Sequence, residues 1–167
     1  MMTGDELRKT QKPLKDEYKE NPEKAVITLK AEGKIGEGVS CSVDTGKAMV
    51  EAGLHPATGG NGMQACSGDM LLEALAACAG VTMKAVATAI GVTLKSGTVL
   101  AEGDLDFRGT LAVAKDAPVG FKNISLTFDI DSDATEEQKE TLLKLTERYC
   151  VVYQTLNNTP DFNVSIT

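Results

Sequence analysis

The sequence predicts an α+β protein. Three observations carry this. Several short stretches have strand composition or alternate apolar and polar residues. One long stretch, residues 68–90, is apolar enough and uninterrupted enough to be a helix. A second helical stretch, 134–150, opens with a capping signal. The order strands, helix, strands, helix, strand belongs to the α+β class rather than to an alternating parallel architecture.

The elements follow along the chain. Residues 1–22 read as a polar N-terminal arm, interrupted by Pro13 and Pro22, in which Leu7, Leu14 and Tyr18 give at most a narrow apolar edge. Residues 23–167 read as a single domain. Residues 24–30 have strand composition, and 38–43 alternate with Val39, Cys41 and Val43 on one face. The two glycines between Ala31 and Glu37 suit a hairpin turn. Residues 53–68 form a long glycine-rich loop. Its Gly59-Gly60-Asn61-Gly62 run lacks the Gly-Lys-Ser/Thr ending of a phosphate loop, so it reads as a segment that approaches other backbone closely.

The helix 68–90 has Ser67 as its N-cap candidate, Asp69 in its first turn and Gly91 just past its end. It is apolar on most sides, which predicts a buried central helix. Strands are expected over 97–110 and 121–131; in the second, Ile124, Leu126, Phe128 and Ile130 alternate cleanly. Thr135 and Gln138 match a capping box at the start of the second helix. A turn or short helix over 151–157 and a closing strand over 162–167 complete the chain.

Composition narrows the function. At 167 residues the chain can bury a real core. Aromatics are only 4%, so that core must be built from Ala, Val, Leu, Ile and Met. The net charge of −7 argues against nucleic acid and anionic membrane surfaces, both of which call for clustered Lys and Arg. Residues 1–24 are balanced, with six basic and six acidic groups, so the excess lies further on. No leader-like start and no run of roughly 18 apolar residues is seen, which makes the cytoplasm the expected location.

Cys41, Cys66, Cys78 and Cys150 are spaced by 25, 12 and 72 residues, without a CxxC pair. With His55 the single histidine, neither a zinc site nor another metal or cofactor is expected. Cys78 falls mid-helix, on the face that carries Leu71, Ala74, Leu75, Val81, Thr82 and Ala85. Read from pattern alone, it is a small core residue, and burial would keep its thiol inert. Cys150 ends the second helix, with Arg148 two residues before it. Pattern alone makes it a core thiol as well.

Two segments add a resemblance. Asp69-Met-Leu-Leu-Glu-Ala-Leu-Ala-Ala-Cys78 resembles the central-helix signature of the OsmC/Ohr superfamily, and Tyr149-Cys150-Val-Val-Tyr-Gln-Thr-Leu156 resembles its second signature. Together with the order of strands and helices, the resemblance covers about residues 24–167 and is closest to a divergent OsmC-like branch. The resemblance implies antiparallel sheets packed on a long central helix, in an intertwined homodimer with its active sites at the subunit interface. It implies an organic hydroperoxide reductase in which Cys78 is the peroxidatic thiol and Cys150 resolves it through a disulfide. A dithiol, lipoyl-type or thioredoxin-like, would be the reductant.

This chain departs from the family at three points. It has no Arg between residues 9 and 107, where peroxidase members place the one that activates the thiol. Asp69 is shorter than the usual Glu, and Val151 stands where Pro is usual. The replacement cation is left open between Lys34 and Arg148. Asp69 lies nine residues, about 13.5 Å, before Cys78 and on the opposite side of a straight helix. It cannot serve Cys78 of its own chain on a straight helix, which is consistent with a site shared with a second, antiparallel copy. His55 is a further candidate for lining the site, and Cys66 for a third redox thiol. The alternative to catalysis is a binding or redox-sensing protein that holds a small apolar ligand between subunits. A third reading makes all four Cys structural.

Overall fold

The computed structural model describes residues 3–6, 9, 12, 20–21, 49–112 and 114–167, and the backbone of 33–35 and 40–44. The strand expected over 24–30 and nearly all of the arm lie outside these residues. In order, the elements are β1 (Gly33–Ile35), β2 (Ser40–Asp44), β3 (Met49–Gly53), β4 (Ala65–Cys66), α1 (Ser67–Ile90), β5 (Leu94–Leu105), α2 (Phe107–Thr110), β6 (Phe121–Ser132), α3 (Glu136–Tyr149) and α4 (Val151–Asn157). The chain is α+β, as its pattern of elements predicts.

The chain forms two compact units, and α1, β5 and β6 contribute to both. In the unit built from residues 16–73 and 101–126, β1 to β4 form a sheet in sequence order. β1–β2 and β2–β3 are antiparallel hairpins, with Ile35 opposite Cys41 and Cys41 opposite Ala52. The short β4 pairs parallel to β3, Gly53 opposite Cys66. The sequence placed a turn over 31–37, but part of that stretch is β1. Residues 33–35 of it pair with Cys41–Val43 instead.

The glycine-rich loop after β3 packs tightly on its own backbone. A Cβ on Gly60 would stand 1.7 Å from the carbonyl oxygen of Leu54, so no other residue fits there without moving the chain. Gly59 closes a short 3-10 turn over Pro56–Thr58 at φ 93°, a left-handed conformation that glycine takes without steric cost.

The other unit comprises residues 1–15, 74–100 and 127–167. Its core is made of Met83, Val86, Ala87, Val92 and Leu142, with Phe128, Ile130 and Leu145 packed against it. α1 is long and apolar enough to cross a membrane by composition. Its buried residues Leu75, Ala79, Met83, Val86 and Ala87 instead lie on one helical stripe, and three of them join that core.

The expectation that α1 is buried on most sides is corrected. Val81 is 72% exposed and Leu71 is 37% exposed. One chain covers only one side of this helix.

β5 starts three residues earlier than expected and ends at Leu105. Asp106 stops it: its carboxylate accepts from the amide of Arg108 and starts the single turn of α2. β6 alternates as predicted, its half-buried positions including Ile124, Leu126, Phe128 and Ile130. α3 begins at the predicted capping box. The Thr135 amide donates to Gln138 Oε1 at 2.9 Å, and the Gln138 amide donates to Thr135 Oγ1 at 3.3 Å.

The closing strand over 162–167 does not form. Its alternation is real, but no sheet edge among the described residues receives it, and Phe162, Val164 and Ile166 are 77%, 92% and 100% exposed.

Candidate functional site

α3 carries a buried stripe of Leu142, Thr146 and Cys150, four residues apart. Cys150 ends that helix and starts the next. Its amide donates to the Thr146 carbonyl at 2.9 Å, and its carbonyl accepts from the Gln154 amide at 2.9 Å. Between these bonds its backbone leaves the helical region, at φ −73° and ψ 108°. The chain therefore kinks at the sulfur-bearing residue. The amides that would have continued α3, those of Val151 and Val152, no longer point at its last carbonyls.

Those amides act on Cys78 instead. Cys78 is half-buried on α1, and burial pushes its thiol up. Hydrogen bonding from the Val152 amide, the Cys150 thiol, the Val151 amide and the Thr82 hydroxyl outweighs burial, so the thiol lies below its ordinary value. Cys150, 1% exposed, shifts the other way. Burial raises it, the Tyr153 amide offsets part of this, and the neighbouring Cys78 raises it again. The two thiols thus shift in opposite directions, Cys78 down and Cys150 up, each in part through the other. No disulfide joins them; both are free thiols, as is Cys66.

Cys78 is half-buried rather than sealed in the core that the pattern alone suggests. Thr82 lies one turn further along α1, on the face read from the sequence, and its hydroxyl also donates to the Cys78 carbonyl at 2.8 Å. The Val151 and Val152 amides were not foreseen, because main-chain donors leave no mark in residue types. A cysteine immediately followed by a new helix was the available signal.

The other candidates fall elsewhere. Arg148 places its guanidinium over the ring of Tyr149, 5.5 Å from the centroid. It lines an open groove of about 460 Å³ with Val151, Gln154 and Asn158, and it is not among the groups that shift either thiol. Lys34 sits on β1 opposite Ser42, and its side chain is outside the described residues.

His55, Asp69 and Cys66 meet in the other unit. They line a cavity of about 220 Å³ with Asp104, Phe107 and Phe121. His55 accepts from the Ala57 amide at Nδ1, 3.0 Å, and stacks on Phe107 with centroids 4.9 Å apart. Among the described residues no group of three or more His, Cys, Asp or Glu side chains is placed to hold a metal ion.

The family model described as OsmC-like protein matches residues 59–165, which include both thiols. The chain belongs to the OsmC-like family. Solved structures agree on the fold. An OsmC-like protein from Mycoplasma pneumoniae superposes with a TM-score of 0.67 at 18% identity, over 80% of this chain and 89% of that one. An organic hydroperoxide resistance protein OsmC from Legionella pneumophila gives 0.62 at 17% identity, over 80% and 91%. The organic hydroperoxide resistance protein OhrB of Bacillus subtilis gives 0.51 at 17% identity, over 80% and 93%. No protein of curated function matches this sequence. These OsmC-like relatives share the antiparallel hairpins and long helix described above, at identities that speak to fold alone.

Proposed function

We propose that this OsmC-like protein reduces organic hydroperoxides, with Cys78 as the peroxidatic thiol and Cys150 as its resolving partner. The observation that supports this reading is the OsmC-like match over residues 59–165, which takes in both Cys78 and Cys150, two thiols that shift in opposite directions, each partly through the other. A peroxidatic sulfur must be a thiolate to attack oxygen, and a resolving sulfur must lie within bonding reach of it.

The chemistry balances with these two residues and a dithiol. The Cys78 thiolate attacks the terminal oxygen of ROOH. The O–O bond breaks, an S–O bond forms, and the alkoxide takes a proton to leave as ROH. Cys78 is now a sulfenic acid. The Cys150 sulfur displaces hydroxide from it, which leaves as water with the Cys150 proton, and the disulfide forms. A dithiol reductant, lipoyl-type or thioredoxin-like, opens that disulfide by two exchanges and departs as its own disulfide. Neither metal nor cofactor takes part. The reading places the protein in the cytoplasm, where a dithiol pool is reduced, and in a homodimer that covers the apolar residues left open on the single chain.

The test is consumption of cumene hydroperoxide and hydrogen peroxide by the pure protein with a dithiol reductant. Turnover of the organic peroxide should vanish in Cys78→Ser. Cys150→Ser should trap the sulfenic acid and stop after one equivalent. Thiols that all remain free after peroxide exposure would overturn the reading and favour a ligand-binding role for the fold.

A further inference from the structure

The cavity beside His55 takes no part in the proposed thiol chemistry, and all its lining residues belong to a single unit of the chain. Its walls are built from two aromatic rings. The ring of Phe121 sits close against β5 because residue 103 is glycine: a Cβ there would stand 2.6 Å from it. Phe107 is the second ring, stacked on His55 with centroids 4.9 Å apart and planes 18° apart. The imidazole is held from another side as well, since its Nδ1 accepts from the Ala57 amide at 3.0 Å. This part of the wall is therefore set before any ligand arrives.

The polar part of the lining is acidic. Asp69 and Asp104, both exposed, bring two carboxylates to the same cavity. No hydrogen bond or ion pair ties either of them among the described residues. Arg108, four residues on from Asp104, is already bound by Asp106. A metal ion does not suit these groups, because no three His, Cys, Asp or Glu side chains among the described residues are placed around one point. A larger cation does. Carboxylates and aromatic faces both attract positive charge, and the rings also receive an apolar body. The volume of about 220 Å³ lies below the roughly 300–1,000 Å³ typical of sites for drug-sized molecules, so that body is short.

We propose that this cavity binds a small organic cation, a primary ammonium on a short apolar body, with Asp69 and Asp104 meeting the charge and Phe107 and Phe121 meeting the body. The inference does not depend on any reaction of Cys78 and Cys150.

His55 is the single histidine of the chain, so its imidazole Hε1 proton gives one isolated NMR resonance at the cavity wall. The full-length protein is titrated with benzylamine, benzyl alcohol and benzoate, which match in size and differ in charge. Benzylamine should move the His55 resonance saturably, benzyl alcohol should bind at least about tenfold more weakly, and benzoate should not bind. Asp104→Asn and Asp69→Asn, both at exposed positions, should each weaken benzylamine toward the level of the alcohol. Asp129→Asn removes an exposed carboxylate from the other unit and should leave the affinity unchanged. Saturating benzylamine should also slow iodoacetamide labelling of Cys66, the free thiol of the cavity, more than that of Cys78. Equal binding of amine and alcohol by the parent protein would overturn the cation site. So would equal weakening by all three variants, which would reduce the effect to the general attraction of a chain of charge −7, or the absence of any saturable shift.

Discussion

Cys78 and Cys150 are chemically identical, and what separates them is which donors reach each sulfur. Cys78 is half-buried and met by two amides, a hydroxyl and a thiol; Cys150 is sealed and lies beside another sulfur that competes for the negative charge. As pH rises, the thiol held below its ordinary value must ionise first. Haloacetamide should therefore label Cys78 at a pH where Cys150 is still unreacted, and the label on Cys150 should appear only under more alkaline or denaturing conditions. Equal labelling of both across the titration would contradict the asymmetry. The two cysteines were legible in the sequence through their flanking motifs. The absence of a nearby Arg was legible too, but what stands in its place was not. Lys34, Arg148, His55 and Asp69 were sought as side-chain charges, whereas the groups that lower Cys78 are two main-chain amides, a thiol and a hydroxyl, none of them charged. Which way a main chain points is decided by the single ψ angle at Cys150.

At the scale of elements, local chemistry was readable and pairing was not. The capping box of α3 is a contact between residues three apart, so Thr135 and Gln138 announce it directly. Thr135→Ala should lower stability by about 1 kcal/mol, read by urea unfolding. Leu142 is fully buried in the core. Leu142→Ala should cost about 2–5 kcal/mol in the same measurement, because it leaves a cavity between α1 and α3. A helix announces itself within a few residues, but a strand needs a second strand. Residues 162–167 carry the right alternation and still form no strand within the chain. The stretch before β2 was read as turn for a related reason: its two glycines permit several registers, and the pairing of Ile35 with Cys41 makes residues 33–35 a strand.

At the scale of the whole molecule, the single chain leaves apolar surface uncovered. Ala77, Val81 and Ala85 form an exposed stripe on α1, on the side away from the buried one, and Phe162, Val164 and Ile166 stand in solvent. Apolar surface of this kind marks a place where something else docks. A second copy is the partner the proposed function calls for. Val81→Asp should shift the protein toward monomer in light scattering while leaving its circular dichroism unchanged, since Val81 takes no part in the core. A variant that remains dimeric would show that this side of α1 is not the interface.

The kink at Cys150 has a consequence for how the protein answers to ionic strength. A thiolate stabilised by a distant Arg or Lys loses that help as salt screens the attraction, and its pKa climbs. Donors in direct contact with the sulfur are not screened in this way. What salt does weaken here is the background repulsion that a chain of net charge −7 exerts on one more anion. Cys78 should therefore ionise slightly more easily as salt is raised from millimolar toward molar, and its alkylation at fixed pH should hold or quicken. A thiol that ionises in this manner holds its charge in concentrated salt, where a cation-activated thiol would fade.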